Sequence, residues 1–485
     1  MSDEWKGKSV LVLGLGDTGL SVVRWLARRG ARLRAADTRA APPSLGAVRA
    51  DHPDVGIALG AFDEALLEGV DAVVASPGVA LGEPVLRAAA ARGIEVVGDV
   101  EIFARELARR AGAARVLAIT GTNGKSTVTA LAGAMGSAAG YRTVVAGNIG
   151  LPVLDALEAA QPSGREAPVD LYVLELSSYQ LETTASLALD AAAMLNLTQD
   201  HLDRYGSMAD YARAKERIFR HARTRVVNRD DERSLAMISA PSASRSRGER
   251  SWTFGSSVPS TDGEWGFDAS KRFMRHGNEN LMPVAAMGIS GLHNASNGLA
   301  AHALLTAIGA PRAPLIAALR EFKGLPHRVQ WVAEARGVTF FDDSKGTNVG
   351  STVAALEGFA APVVLIAGGD GKGQDFSPLA PAVRARARAV VLIGRDAPAL
   401  EAALRATGVP ITRADTLPEA VEAAFDRARA GDAVLLSPAC ASLDMFRNYG
   451  HRGDVFADAA RTLAARSTGA GHRSTPDVPS PPDKH

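Results

Sequence analysis

The stretch AITGTNGKST, Ala118 to Thr127, constrains this chain more than any other feature, because it demands a strand before it and a helix after it. Glycines at 121 and 124 let backbone N–H groups approach phosphate oxygens, Lys125 adds charge near the β- and γ-phosphates, and the Ser126 hydroxyl suits Mg²⁺. The spacing departs from strict G-x-x-x-x-G-K-[ST]: Ile119 stands where the first glycine belongs, and Gly121 replaces it two positions on. The bland alternative is a Gly-rich turn, but Gly-Lys-Ser in this context has few such explanations.

Short apolar strands alternate with alanine-rich helical stretches from end to end, the pattern of parallel α/β domains. Expected strands include Val10 to Leu13, Val116 to Thr120, Leu171 to Leu176, Ala192 to Leu197, Val363 to Ala367 and Val434 to Leu436. A length of 485 residues exceeds one core and predicts three domains. These are a Rossmann-like domain at 1–112, a central P-loop ATPase-like parallel-sheet domain at 113–325 and a C-terminal Rossmann-like domain at 326–466. Gly324-Leu325-Pro326 reads as the last hinge, and the Pro-rich stretch 467–485 as a disordered tail. The polar segment between about Ser239 and Asn280 predicts irregular or edge-strand structure.

Lys+Arg (54) balances Asp+Glu (53), so nothing points to nucleic acid or an anionic membrane. A single cysteine, Cys440, excludes an intrachain disulfide framework and fits a reducing, cytoplasmic setting; it reads as a packing residue. The N-terminus reads as a first strand rather than a signal peptide, and no apolar run approaches a membrane span. Only nine of the 54 basic residues are lysines, so a lysine that persists suggests a need for a primary amine; Lys125, Lys215, Lys345 and Lys372 all fall in motifs.

GLGDTG, Gly14 to Gly19, follows a strand, with Asp37 at the end of the next: a dinucleotide-binding fingerprint. A nicotinamide enzyme is one reading; a nucleotide sugar, with its diphosphate on a helix N-terminus, satisfies the same mechanics. Glu175, at the carboxyl end of a strand beside the phosphate loop, is a natural metal-ligating acid. Asp200 and His201 follow another strand end. Lys215, flanked by Arg213, Glu216 and Arg217, reads from spacing alone as part of a solvated helix face. FDDSKGTN (Phe341 to Asn348), AGGDGKGQDF (Ala367 to Phe376) and LSPACASLDMF (Leu436 to Phe446) put Asp343, Lys345, Thr347, Lys372 and Ser442 along one carboxyl edge. A non-catalytic nucleotide-binding regulator is the third class, opposed by the Glu175, His201 and Lys215 set.

With those residues in hand, the chain resembles the Mur ligases from about Lys8 to Ala465, and within them the glutamate-adding branch. ITGTNGKST, GNIGLP, ELSSYQLE, DHLDRYG, GLPHR, DDSKGTN, GGDGKG and SPACASLD appear in the family's order, while the D-N-P-R motif of the diaminopimelate-adding relatives is absent. The resemblance implies an ATP-dependent ligase that adds D-glutamate to UDP-N-acetylmuramoyl-L-alanine through an acyl phosphate, in peptidoglycan precursor synthesis. It implies a cytoplasmic monomer acting on small molecules. By position it implies ATP contacts from Gly121, Thr122, Asn123, Gly124, Lys125, Ser126, Thr127, Asn294, Asn297, Arg328 and Asp343. Two Mg²⁺ sites would draw on Ser126, Glu175, His201 and Lys215, the last carbamylated by CO₂; Lys125, Glu175, His201 and Lys215 would be catalytic. Gly16, Thr18, Asp37, Thr38, Arg39, Gly78, Asn148, Ser177 and Gln180 would hold the UDP-sugar, and Lys345, Thr347, Lys372, Ser442 and Tyr449 the glutamate. Asp17 puts an acid in the diphosphate turn where family members look apolar, and Tyr449 stands where Phe is familiar.

Overall fold

Ser9–Leu13 and Ala72–Ala75 are almost wholly apolar because helices cover both faces of their sheet. The computed structural model describes residues 4–110, 114–159, 168–201, 204–239, 249–289, 291–359 and 361–469. In the first sheet the strand order is Gly56–Leu59, Arg32–Asp37, Ser9–Leu13, Ala72–Ala75, Glu95–Val97, all parallel. The chain steps to one side of Ser9–Leu13 and later to the other, so the Gly14–Gly19 turn opens at a topological switch point. Helix Asp17–Arg28 buries Val22, Trp25 and Leu26, a stripe at helical spacing.

A second sheet repeats the device. Arg115–Thr120 lies between Leu189–Met194 and Leu171–Glu175, with Thr143–Gly147 beyond the latter. Ala222–Asn228 and Arg250–Phe254 extend it in parallel on the other side, followed by Glu264–Phe267. The far edge is an antiparallel pair, Phe273–His276 and Glu279–Pro283. The polar segment thus supplies edge strands anchored by the buried Trp265, whose indole N–H donates to Nδ1 of His302 at 3.0 Å; residues 240–248 lie outside the described ones. The strand expected at Ala192 to Leu197 runs instead from Leu189 to Met194.

The chain divides into two compact units, Met1–Lys323 and Gly324–His485. Within the first, Glu101 joins the two sheets: it accepts from the N–H groups of Ala185 (2.7 Å) and Ser186 (2.9 Å) and the Ser186 hydroxyl (2.8 Å). Burial pushes this carboxyl up, but those bonds and Arg105 leave it below its ordinary value. The second unit holds a sheet ordered Gln330–Ala335, Val338–Asp342, Ala433–Leu436, Val363–Gly368, Ala387–Ile393, Ile411–Arg413, parallel except for the first pair. Its last helix, Tyr449–Gly469, runs three residues into the stretch expected to be disordered; 470–485 lie outside the described residues. Among the described residues no helix is long and apolar enough to cross a membrane.

Candidate active site

The phosphate loop leaves its strand two residues later than the strict motif allows. Ile119 still pairs in register with Glu175 on one side and Ala193 on the other, which is why no glycine is needed there. Helix Lys125–Ala138 begins at Gly124, whose φ of +83° lies in the left-handed region; a Cβ there would also stand 2.7 Å from Oδ1 of Asn297. Asn297 and Asn294, one turn apart on helix Leu292–Ala307, therefore sit beside the loop, their amides 3.4 Å apart. Asn196 clamps the loop, accepting from the Asn123 N–H at 2.8 Å and donating to its carbonyl at 3.1 Å. Ser126 and Thr127 are buried in the first helical turn, where the dipole and the N–H groups favour an anion.

Lys215 overturns its surface reading. It is 2% exposed, and its Nζ donates to the Gly121 carbonyl at 2.8 Å and to the Thr120 hydroxyl at 3.3 Å. Lys125 donates to the same Gly121 carbonyl at 3.0 Å and to that of Thr122 at 2.9 Å. Burial, and then the Lys125 charge, hold the Lys215 amine well below the usual lysine range, against the opposing pull of Asp200 and Glu175.

Glu175, also buried, ends its strand next to the loop. Its Oε1 accepts from the Asn148 amide at 2.7 Å, while Oε2 is buried with no hydrogen-bond partner. A buried carboxylate oxygen without a donor costs free energy unless something cationic meets it. His201 stands at φ +55°, a strained setting for a non-glycine, with Nδ1 2.7 Å from the Tyr179 hydroxyl and Nε2 3.7 Å from Asp200. Among the described residues no three His, Cys, Asp or Glu side chains converge as a ready-made metal cage. The donors that are present (the orphaned Glu175 oxygen, the Ser126 hydroxyl and an imidazole) fit a hard cation that takes its remaining oxygens from phosphates.

At the first switch point Gly16 caps helix Asp17–Arg28, with Thr18 in its first turn. A Cβ on Gly19 would stand 1.9 Å from the Gly14 carbonyl oxygen, so only glycine fits. Asp37 shapes this turn: it accepts from the Leu15 N–H at 2.7 Å, the Arg39 N–H at 2.9 Å and the Arg39 guanidinium at 2.9 and 2.7 Å. The Arg39 bond holds its carboxyl down at about 2, although burial pushes the other way. That acid is held by its own turn, with the exposed Arg39 beside it. Thr38 is exposed beside it, and Gly78 is exposed in the turn after Ala72–Ala75. Ser177 and Gln180 form a capping box at helix Ser178–Glu182, with the Gln180 oxygen on the Ser177 N–H at 3.1 Å.

Within the second unit, three strand-end loops are tied together. Asp370 and Ala441 exchange backbone bonds at 3.0 and 2.8 Å. Arg452, fully buried, donates to the Ser344 carbonyl at 2.8 Å, its hydroxyl at 3.0 Å and the Cys440 carbonyl at 3.1 Å. Burial draws this guanidinium down to about 10 and raises the Cys440 thiol to about 12. Lys345, beside Ser344, holds its Nζ 3.8 Å from the centre of the Tyr449 ring. Ser442 is buried, Thr347 half-buried, and Lys372 stands at φ +52° with its N–H on Asp370 at 3.0 Å. Asp343, fully buried, accepts from the Ser437 hydroxyl at 2.7 Å; burial raises it to about 7, against the nearby Arg328 charge. Arg452 escaped the sequence reading because an arginine in a polar helix start carries no mark of burial.

Comparison with known proteins agrees with this layout. Residues 8–98 match the model of the Mur ligase MurD-like N-terminal domain, 119–305 the Mur ligase middle domain and 327–440 the Mur ligase glutamate ligase domain. A UDP-N-acetylmuramoylalanine–D-glutamate ligase of Methylobacillus flagellatus is 56% identical over 96% of this chain and 99% of its own length. Its counterpart in Thiobacillus denitrificans is 54% identical over 95% and 97%. Two solved structures share the fold: the UDP-N-acetylmuramate–alanine ligase of Thermotoga maritima (TM-score 0.58, 19% identity, 95% of this chain and 99% of that one) and the MurF ligase of the same organism in complex with ADP (0.56, 15%, 96% and 97%).

Proposed function

The chain belongs to the Mur ligase family, and from that premise we infer that it joins D-glutamate to the alanyl carboxyl of UDP-N-acetylmuramoyl-L-alanine at the expense of ATP, a step of peptidoglycan precursor synthesis. The observation that carries this reading is the likeness, over 96% of the chain, to a relative bearing that activity in its name. The geometry supports the chemistry. Loop N–H groups and Lys125 bind and orient the γ-phosphoryl group for attack by the alanyl carboxylate, which yields an acyl phosphate and ADP. The glutamate amine then attacks the acyl carbon, and the tetrahedral intermediate collapses to amide and phosphate.

Lys215 has a distinct part. A neutral amine is the form that reacts with CO₂, and the burial and Lys125 charge that lower the Lys215 amine favour that form. The resulting carbamate, formed with loss of a proton, would make this side chain an anionic oxygen donor. Ser126, Glu175, His201 and the carbamylated Lys215 would hold Mg²⁺ at two positions, neutralising charge on the transferring phosphoryl group. Residues 1–112 would serve the nucleotide sugar, 113–325 ATP and 326–466 glutamate, in a monomer working in the cytoplasm. Mass spectrometry of a reaction with Mg·ATP, UDP-N-acetylmuramoyl-L-alanine and D-glutamate should find ADP and a glutamyl amide in equal amounts. ATP bound with no amide formed would leave only the nucleotide-binding regulator.

A further inference from the structure

We propose that Arg204 is a positioning residue that couples the Pro77–Val79 turn, on the nucleotide-sugar side of the site, to His201. The inference rests on the ligase reading above. Arg204 belongs to DHLDRYG but reaches far from it in sequence: its guanidinium donates to the Pro77 carbonyl at 3.1 Å and the Val79 carbonyl at 3.3 Å. It also pairs with Glu182 at 2.5 Å and lies 4.1 Å from the centre of the Tyr179 ring, with the side chain only 12% exposed. The Tyr179 hydroxyl in turn meets Nδ1 of His201 at 2.7 Å, and the Arg204 N–H donates to the His201 carbonyl at 3.0 Å.

One planar group therefore holds two carbonyls of the turn around Gly78 while stacking on the ring that orients His201. Pro77 has no N–H, and the Val79 N–H is spent on the Ser76 carbonyl at 2.9 Å, so the two carbonyls are the turn's handles. His201 keeps its left-handed backbone only while its surroundings hold it. A nucleotide sugar that settles into the turn moves those carbonyls, and through the guanidinium and Tyr179 that movement reaches the imidazole. Lysine is a poor substitute, because a single ammonium lacks the planar fork that lets arginine meet two carbonyls and Glu182 at its edge while its face lies on the Tyr179 ring.

The test is steady-state kinetics of the full-length enzyme and its Arg204→Lys, Tyr179→Phe and double variants, with folded fraction and melting temperature measured for each. Arg204→Lys should raise KM for the nucleotide sugar several-fold and lower kcat about tenfold or more, leaving KM for ATP unchanged. Tyr179→Phe, which removes one hydroxyl and little else, should lower kcat alone. The double variant should fall short of the product of the two kcat effects, because both break one chain of contacts. Wild-type KM and kcat per folded molecule in Arg204→Lys, or strictly multiplicative effects in the double variant, would overturn the coupling while the ligase reading stands. A wild-type enzyme that ligates nothing would overturn that reading and the inference with it.

Discussion

Nζ of Lys215 lies 2.8 Å from the carbonyl oxygen of Gly121, inside the turn of the phosphate loop. An amine sealed there beside Lys125 is poorly placed to stay charged, and its neutral form is ready for CO₂. Lys215→Ala should lower turnover by orders of magnitude, and short carboxylic acids should restore part of it by standing in for the carbamate. Absence of rescue, with ATP binding intact by calorimetry, would count against carbamylation.

Lys125 shares that carbonyl but has a different task. Its charge follows the phosphoryl group as the bond to ADP breaks, so Lys125→Ala should reduce kcat by roughly two to three orders of magnitude. Single-turnover rates separate this from weaker ATP binding; near-normal turnover would remove Lys125 from phosphoryl transfer.

Gly19 packs under the first turn with no room for a methyl group, since the atom it would meet is backbone rather than a yielding side chain. Gly19→Ala should destabilise the first sheet by about 2 kcal/mol or more and raise KM for the nucleotide sugar. Urea unfolding provides the measurement, and an unchanged midpoint would mean that the turn is more pliable than its packing implies.

Asp99 sits fully buried at the start of helix Asp99–Arg109, with Oδ2 lacking a partner, and burial raises its carboxyl from 3.8 to about 6. The folded state then holds a proton that the unfolded state has already lost, so stability falls as pH rises from 3.8 to about 6, and the ionised form above that costs roughly 3 kcal/mol. Asp99→Asn removes the titration, while any penalty from its amide is independent of pH. Its stability relative to wild type should therefore improve between pH 4 and pH 7.5; a constant difference would show that Asp99 does not carry the burial penalty.

How much was readable from sequence depended on whether a residue's role is local. Gly14 to Gly19 and Gly121 to Thr127 announce themselves because a strand, a turn and a helix follow within a few residues. Leu195 and Leu197 misled the strand assignment: both are buried, but after Met194 the chain leaves the sheet and folds over the loop, where Leu195 covers Gly121. Lys215 was legible only through family resemblance, because Arg213 and Glu216 face solvent on the same helix and mask its burial. Arg204 and Arg452 act on carbonyls more than 100 residues away in sequence. Asp37 is legible at the end of its strand, but the bonds by which it shapes its own turn, from Leu15 and Arg39, are not.

The most direct test of the central claim is phosphate release by the purified enzyme with Mg·ATP, run with and without UDP-N-acetylmuramoyl-L-alanine and with D-glutamate, L-glutamate or neither. Release should require the nucleotide sugar and D-glutamate together and be negligible with the L-enantiomer. Release indifferent to both acceptors, or none under any combination, would contradict the account.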